Sequence, residues 1–171
     1  MIRIFMLLFI LRSKDTFAQD KNTFPDPGLL YNQTLFDSDT CCWRKLSADK
    51  EYLDAANLIV LYLDNNKPSN KHSLHWHAGQ MFAMAGSDKL AIKYFKKTYS
   101  AFYSLFGGTD GKTWYYYAKG TVAFIEGNLE DLESIIDHWA RKYPMDKNYK
   151  ALLMLRANWG KSYEMATSYK E

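Results

Sequence analysis

The sequence is short of several things, and each shortage excludes something. Its two cysteines are neighbours, Cys41 and Cys42, so no disulfide within the chain can staple distant parts of the fold. Four prolines and nine glycines in 171 residues exclude collagen-like and low-complexity classes. No charge of one sign dominates, with 22 Lys and Arg against 19 Asp and Glu. The first 18 residues carry Arg3, Arg12, Lys14 and Asp15, and the remainder holds 19 positive and 18 negative side chains. A surface that neutralises many phosphates is far more basic, so no nucleic acid partner is expected. Long hydrophobic runs are missing too. Ile4–Leu11 spans eight residues, against about 20 for a membrane-crossing helix, so no transmembrane segment is expected in the mature chain.

What remains is an ordinary globular composition, 47% hydrophobic and 24% charged, in a chain of single-domain length. Such a chain buries a core without metal or disulfides, and no cofactor is expected. Met1–Arg3 gives a short positive start to the apolar run, and Thr16-Phe17-Ala18 before Gln19 is a small-residue cleavage pattern. Residues 1–18 therefore read as a secretory signal peptide, implying a periplasmic or secreted protein. Arg12-Ser13-Lys14-Asp15 is unusual for such a signal, and the alternative is a ragged N-terminal helix on a cytoplasmic protein. Bonded cysteine neighbours would close a strained small ring. The other readings are pairing between chains, or two small, partly buried residues ahead of a helix.

Residues 19–45 read as an irregular leader. Pro25-Asp26-Pro27-Gly28 is turn chemistry, and Leu29, Leu30, Tyr31, Leu35, Phe36 and Trp43 can dock the leader on the body. From 46 to 171 the pattern is helical. Ser47 is the expected cap of a helix bearing Tyr52, Ala55, Ala56, Ile59 and Leu63 on one stripe. A second helix is predicted over Lys71–Ala85. A third begins at Ser87 and Asp88 and carries Ala91, Phe95, Thr98, Phe102 and Leu105 as far as Phe106. Gly107–Gly111 reads as a loop, followed by helices over Thr113–Glu126 and Leu129–Tyr143. A last helical region begins near Asp146, with a break at Trp159-Gly160. No segment shows sustained strand alternation, so the expected class is all-α.

Two segments share a punctuation. Trp76-His77-Ala78-Gly79-Gln80-Met81-Phe82 is followed by Gly86, Ala91 and Phe95; Tyr116-Tyr117-Ala118-Lys119-Gly120 is followed by Phe124, Gly127, Leu132, Ile136 and Pro144. A mid-helix glycine costs about 1 kcal/mol relative to alanine, so its recurrence suggests close helix approach. This pattern resembles the tetratricopeptide repeat, W-x2-L-G-x2-Y with later A, F and P positions. Lys119, Ala123 and Leu132 depart from it, and Trp159-Gly160 with Tyr163 hints at a weaker third unit. Gly79 to Gly120 is 41 residues and Gly120 to Gly160 is 40, against about 34 in the standard repeat, so the units are stretched. The resemblance implies antiparallel helix pairs stacked in a short right-handed array; an irregular helical bundle is the alternative.

The residues that invite chemistry have plainer readings. His72, His75 and His77 form H-x-x-H-x-H, and zinc needs three or four ligands converging at about 2 Å. On a helix His77 lies about 200° from His75, which leaves His72, His75 and a distant His138 as weak metal candidates. Glu126, Glu130, Glu133 and Asp137 read as a solvated helix face, as do Lys89, Lys93 and Lys96. There is no phosphate loop and no G-x-S-x-G elbow, so no catalytic residues are assigned. The resemblance implies instead a concave peptide-binding groove lined by Trp76, Gln80, Met84, Trp114, Tyr117, Thr121 and Phe124. The expected function is that of a non-enzymatic adaptor for a protein or peptide. The alternatives are an accessory subunit of an envelope complex that uses its outer faces, and, third, a small His-dependent metalloenzyme.

Overall fold

The structure is a computed structural model that describes residues 26–168, and the signal-peptide reading of residues 1–18 lies outside the described residues. After a 3-10 turn, η1 (Pro27–Leu30), ten helices follow: α1 (Gln33–Phe36), α2 (Cys42–Ala48), α3 (Tyr52–Asn65), α4 (Lys71–Met84), α5 (Asp88–Phe95), α6 (Ala101–Phe106), α7 (Gly108–Glu126), α8 (Leu129–Ala140), α9 (Lys147–Ala157) and α10 (Tyr163–Ser168). The class is all-α, as the periodicity predicts. No described helix is long and apolar enough to cross a membrane.

Local chemistry places the boundaries. Asn70 Oδ1 accepts from Ser73 N at 3.0 Å, Asn128 Oδ1 from Asp131 N at 3.1 Å, and Asp146 Oδ1 from Asn148 N at 2.7 Å. Each cap satisfies a first-turn amide that has no partner within its own helix. Gly127, at φ 69°, ends α7 in the left-handed conformation that glycine adopts without penalty.

Packing follows chain order. α3 lies on α4, α4 on α5, α5 on α7, α7 on α8 and α8 on α9, while α7 also meets α9. α10 then returns to α4 and closes the file of helices. Phe36, Ile59, Leu74, Phe95, Leu132, Trp139 and Leu152 are fully buried, each contributing about 1.5–3 kcal/mol for the apolar surface removed from water. Gly79 and Gly120 are both points of close approach, but to different partners. A Cβ on Gly79 would sit 2.6 Å from Phe95 in α5, and one on Gly120 would sit 2.6 Å from Leu152 in α9.

Four expectations need correction. The described part of the leader is helical rather than irregular, because Phe36 and Trp43 are buried and hold α1 and α2 on the body. Ser47 lies inside α2, and α3 begins only at Tyr52, after Lys50 at φ 64°. The third helix stops at Phe95. Thr98 Oγ1 donates to the Phe95 carbonyl at 2.8 Å, and the Thr98 carbonyl accepts from Trp114 Nε1 at 2.8 Å and His72 Nε2 at 2.7 Å. That buried knot turns the chain, so residues 101–106 form a separate helix. Finally, the glycine-rich stretch is helical from Gly108, with Gly111 N bonded to the Gly107 carbonyl and Asp110 in the first turn.

Candidate functional site

Three of the seven groove positions come together. α4 contributes Trp76, whose ring lies 4.7 Å from Trp114 and 5.0 Å from Tyr117 of α7. Trp114 and Tyr117 are 5.9 Å apart and nearly perpendicular. The cluster faces inward, however. Trp76, Thr121 and Phe124 are buried, and Gln80, Met84, Trp114 and Tyr117 are half-buried. Thr121 Oγ1 is occupied by the Tyr117 carbonyl of its own helix at 2.9 Å.

α10 packs on α4, the helix that carries Trp76. Its Tyr163 is buried against Phe95, with ring centroids 6.2 Å apart. Burial raises the Tyr163 hydroxyl well above the usual phenol range, and burial likewise raises Tyr117. Glu164 fixes the other side of α10 by accepting from Tyr52 Oη at 3.1 Å, with Lys50 Nζ at 3.8 Å. Trp76 thus belongs to the core, and Trp114 and Tyr117 pack against that core while keeping part of their surface in solvent.

The histidines do not converge. His72 bonds the Thr98 carbonyl, His75 packs at 6.1 Å from the Tyr94 ring, and His138 Nε2 lies 2.8 Å from Tyr116 Oη. Among the described residues, no three His, Cys, Asp or Glu side chains gather to hold a metal. His75 is lowered first by burial and then by Lys97, His72 and Lys71. His77 is also lowered, mainly by burial, against a hydrogen bond from Nδ1 to Gln80 Oε1 at 2.9 Å. Two of the stripe carboxylates bridge neighbouring helices: Glu126 with Lys96 at 2.8 Å and Glu133 with Arg156 at 2.7 Å.

Compared with known protein families, curated proteins and solved structures, the chain matches none.

Two features of the surface were missed or left open by the sequence. Phe102, Leu105 and Phe106 are 65%, 69% and 73% exposed on α6, with the two phenyl rings 4.9 Å apart. The periodic stripe placed them in the core. The signal against that was the run Lys96-Lys97-Thr98-Tyr99-Ser100, rich in residues that compete with helix through side-chain hydrogen bonds or restricted rotamers. The second feature is that Cys41 and Cys42 are bonded to each other. Both are half-buried and border a cleft of about 270 Å³ between η1, α2 and α3.

Proposed function

We propose that this chain is a non-enzymatic protein-binding module, a short tetratricopeptide-like helical array acting outside the cytoplasm, which meets its partner through an outer face. The observation that carries this reading is the ridge of Phe102, Leu105 and Phe106. Large apolar side chains exposed side by side are uncommon on a monomer and mark interaction surfaces, and aromatic anchors dominate binding energy at such surfaces. The Trp76–Tyr117 cluster serves the core of the array. Helices that pack in chain order and a glycine-mediated contact between α4 and α5 favour the array. Bonded adjacent cysteines suit an oxidising compartment. A non-enzymatic role is favoured because three of the four histidines are engaged in hydrogen bonds to neighbours.

The test compares the full chain with a Phe102→Ser/Leu105→Ser/Phe106→Ser variant, using crosslinking and quantitative capture from an envelope extract of native cells. Since Phe102, Leu105 and Phe106 are exposed, the variant should keep the wild-type helicity and melting temperature. A partner held through the ridge should be captured at least about tenfold less, equivalent to 1.4 kcal/mol. Equal capture by the two proteins would refute the ridge as the contact.

A further inference from the structure

We propose that Cys41–Cys42 is a reversible thiol–disulfide exchange site, opened by a dithiol reductant, and that opening it releases η1 from α2. The inference is independent of the ridge and of any partner bound there.

Covalent geometry comes first. Adjacent Cα atoms are about 3.8 Å apart, whereas relaxed disulfides span roughly 4.4–6.8 Å between Cα atoms, and bridges forced outside that range are more readily reduced. A bridge between neighbours also closes a loop with no residue inside it. It therefore restricts the unfolded chain very little, and the fold does not depend on it. Access is provided as well, since both cysteines are half-buried and line the cleft together with Pro27, Tyr31, Lys45 and Leu58.

The bridge is coupled to its surroundings at two points. Cys42 has φ 54°, a conformation that L side chains rarely adopt. Its sulfur lies 2.9 Å from where a Cβ on Gly28 would stand, so the backbone of η1 rests directly on Sγ. Only glycine permits that approach. Once the bond is broken, Cys42 is free to return to negative φ, which carries Sγ away from Gly28. η1 is then left with Tyr62 Oη on the Tyr31 carbonyl at 2.9 Å and Asn66 Nδ2 on the Leu29 carbonyl at 3.1 Å.

The exchange balances as follows. A thiolate of the reductant attacks Cys41 Sγ, the sulfur not covered by Gly28. The S–S bond breaks, and its electron pair leaves on Cys42 Sγ, which takes up a proton. The second thiol of the reductant, deprotonated, attacks the mixed disulfide and expels Cys41 as a thiolate, which is protonated in turn. The bridge gains two electrons and two protons, and the dithiol leaves as a cyclic disulfide.

Dithiothreitol is the probe, applied to the full folded chain. Intact mass should show the bridge before treatment and the gain of two hydrogens after it, with two alkylation sites appearing while the helical signal persists. Hydrogen exchange at the Leu29 and Tyr31 amides, which bond Asp26 O at 2.9 Å and Gly28 O at 3.2 Å, should quicken on the order of tenfold, and amides in α7 should not change. Reoxidation should restore slow exchange, and a Cys41→Ser/Cys42→Ser variant should exchange fast with or without reductant. Free thiols at both positions in the air-oxidised chain would overturn the proposal. So would reduction only after global unfolding, or unchanged exchange at Leu29 and Tyr31 on reduction.

Discussion

Gly79→Ala sets two effects of known sign against each other. Alanine in a helix interior is favoured over glycine by about 1 kcal/mol, so on propensity alone the substitution should stabilise the protein. The new methyl would meet Phe95 Cδ1 at 2.6 Å, Cε1 at 2.8 Å and Cγ at 3.0 Å. Contacts that short require a displacement, and the Phe95 ring has nowhere to go. It is fully buried, 4.5 Å from the Trp76 ring on one side and 6.2 Å from Tyr163 on another. Forcing an extra carbon into a packed core costs about 1–3 kcal/mol, so the clash should prevail by about 1 kcal/mol net. For a domain of this length each kcal/mol lowers the melting temperature by about 2–4 °C. Thermal melts followed by circular dichroism, with urea titrations to confirm an unchanged m-value, would measure this. In a Phe95→Leu background the same substitution should become neutral or stabilising, because the ring edge that opposes it is gone. A Gly79→Ala protein that melts at or above wild type would refute the close approach of α4 and α5.

Further outcomes are expected for Trp139, Lys93 and His77. Trp139→Ala should cost about 3–5 kcal/mol, while Trp139→Phe should cost clearly less, since the buried Nε1 has no hydrogen-bond partner to lose; Lys93→Ala on the exposed face should stay within about 0.5 kcal/mol in the same melts. His77 binds protons less readily folded than unfolded, so its contribution to stability is fully present above its unfolded value of 6.5 and is lost as the pH falls below it. A His77→Gln variant should therefore lose less melting temperature than wild type between about pH 7.5 and pH 5.5, and parallel losses would show that His77 is not the group responsible.

The helices were legible because their apolar residues recur at helical spacing. α4 was placed over Lys71–Ala85 and found over Lys71–Met84, since its start has an asparagine cap and its end a glycine. The break at Phe95 was not legible, because it depends on a carbonyl of Thr98 bonded by Trp114 and His72, and neither contact has a local sequence signature. The aromatic cluster was half-legible. Periodicity shows which side chains share a helix face; it does not show whether solvent or another segment lies opposite. Here α10, far along the chain, packs on α4, and its Tyr163 lies against Phe95. The ridge on α6 was misplaced for a related reason, since the stripe that predicts burial assumes an unbroken helix.

The return of α10 has a consequence for how this architecture could change length. A file of helices open at both ends can gain or lose a unit, because each helix answers only to its neighbours. Here Glu164 reaches Tyr52 at 3.1 Å while Tyr163 reaches Phe95, so the end of the file is bolted to its beginning. Inserting one more helix pair would displace α10 by at least one interhelical spacing, about 8–10 Å. No side-chain rotation recovers that distance. Insertion of a helix pair is therefore closed within this ring, and new surface has to be added outside it, at loops such as the one that carries α6.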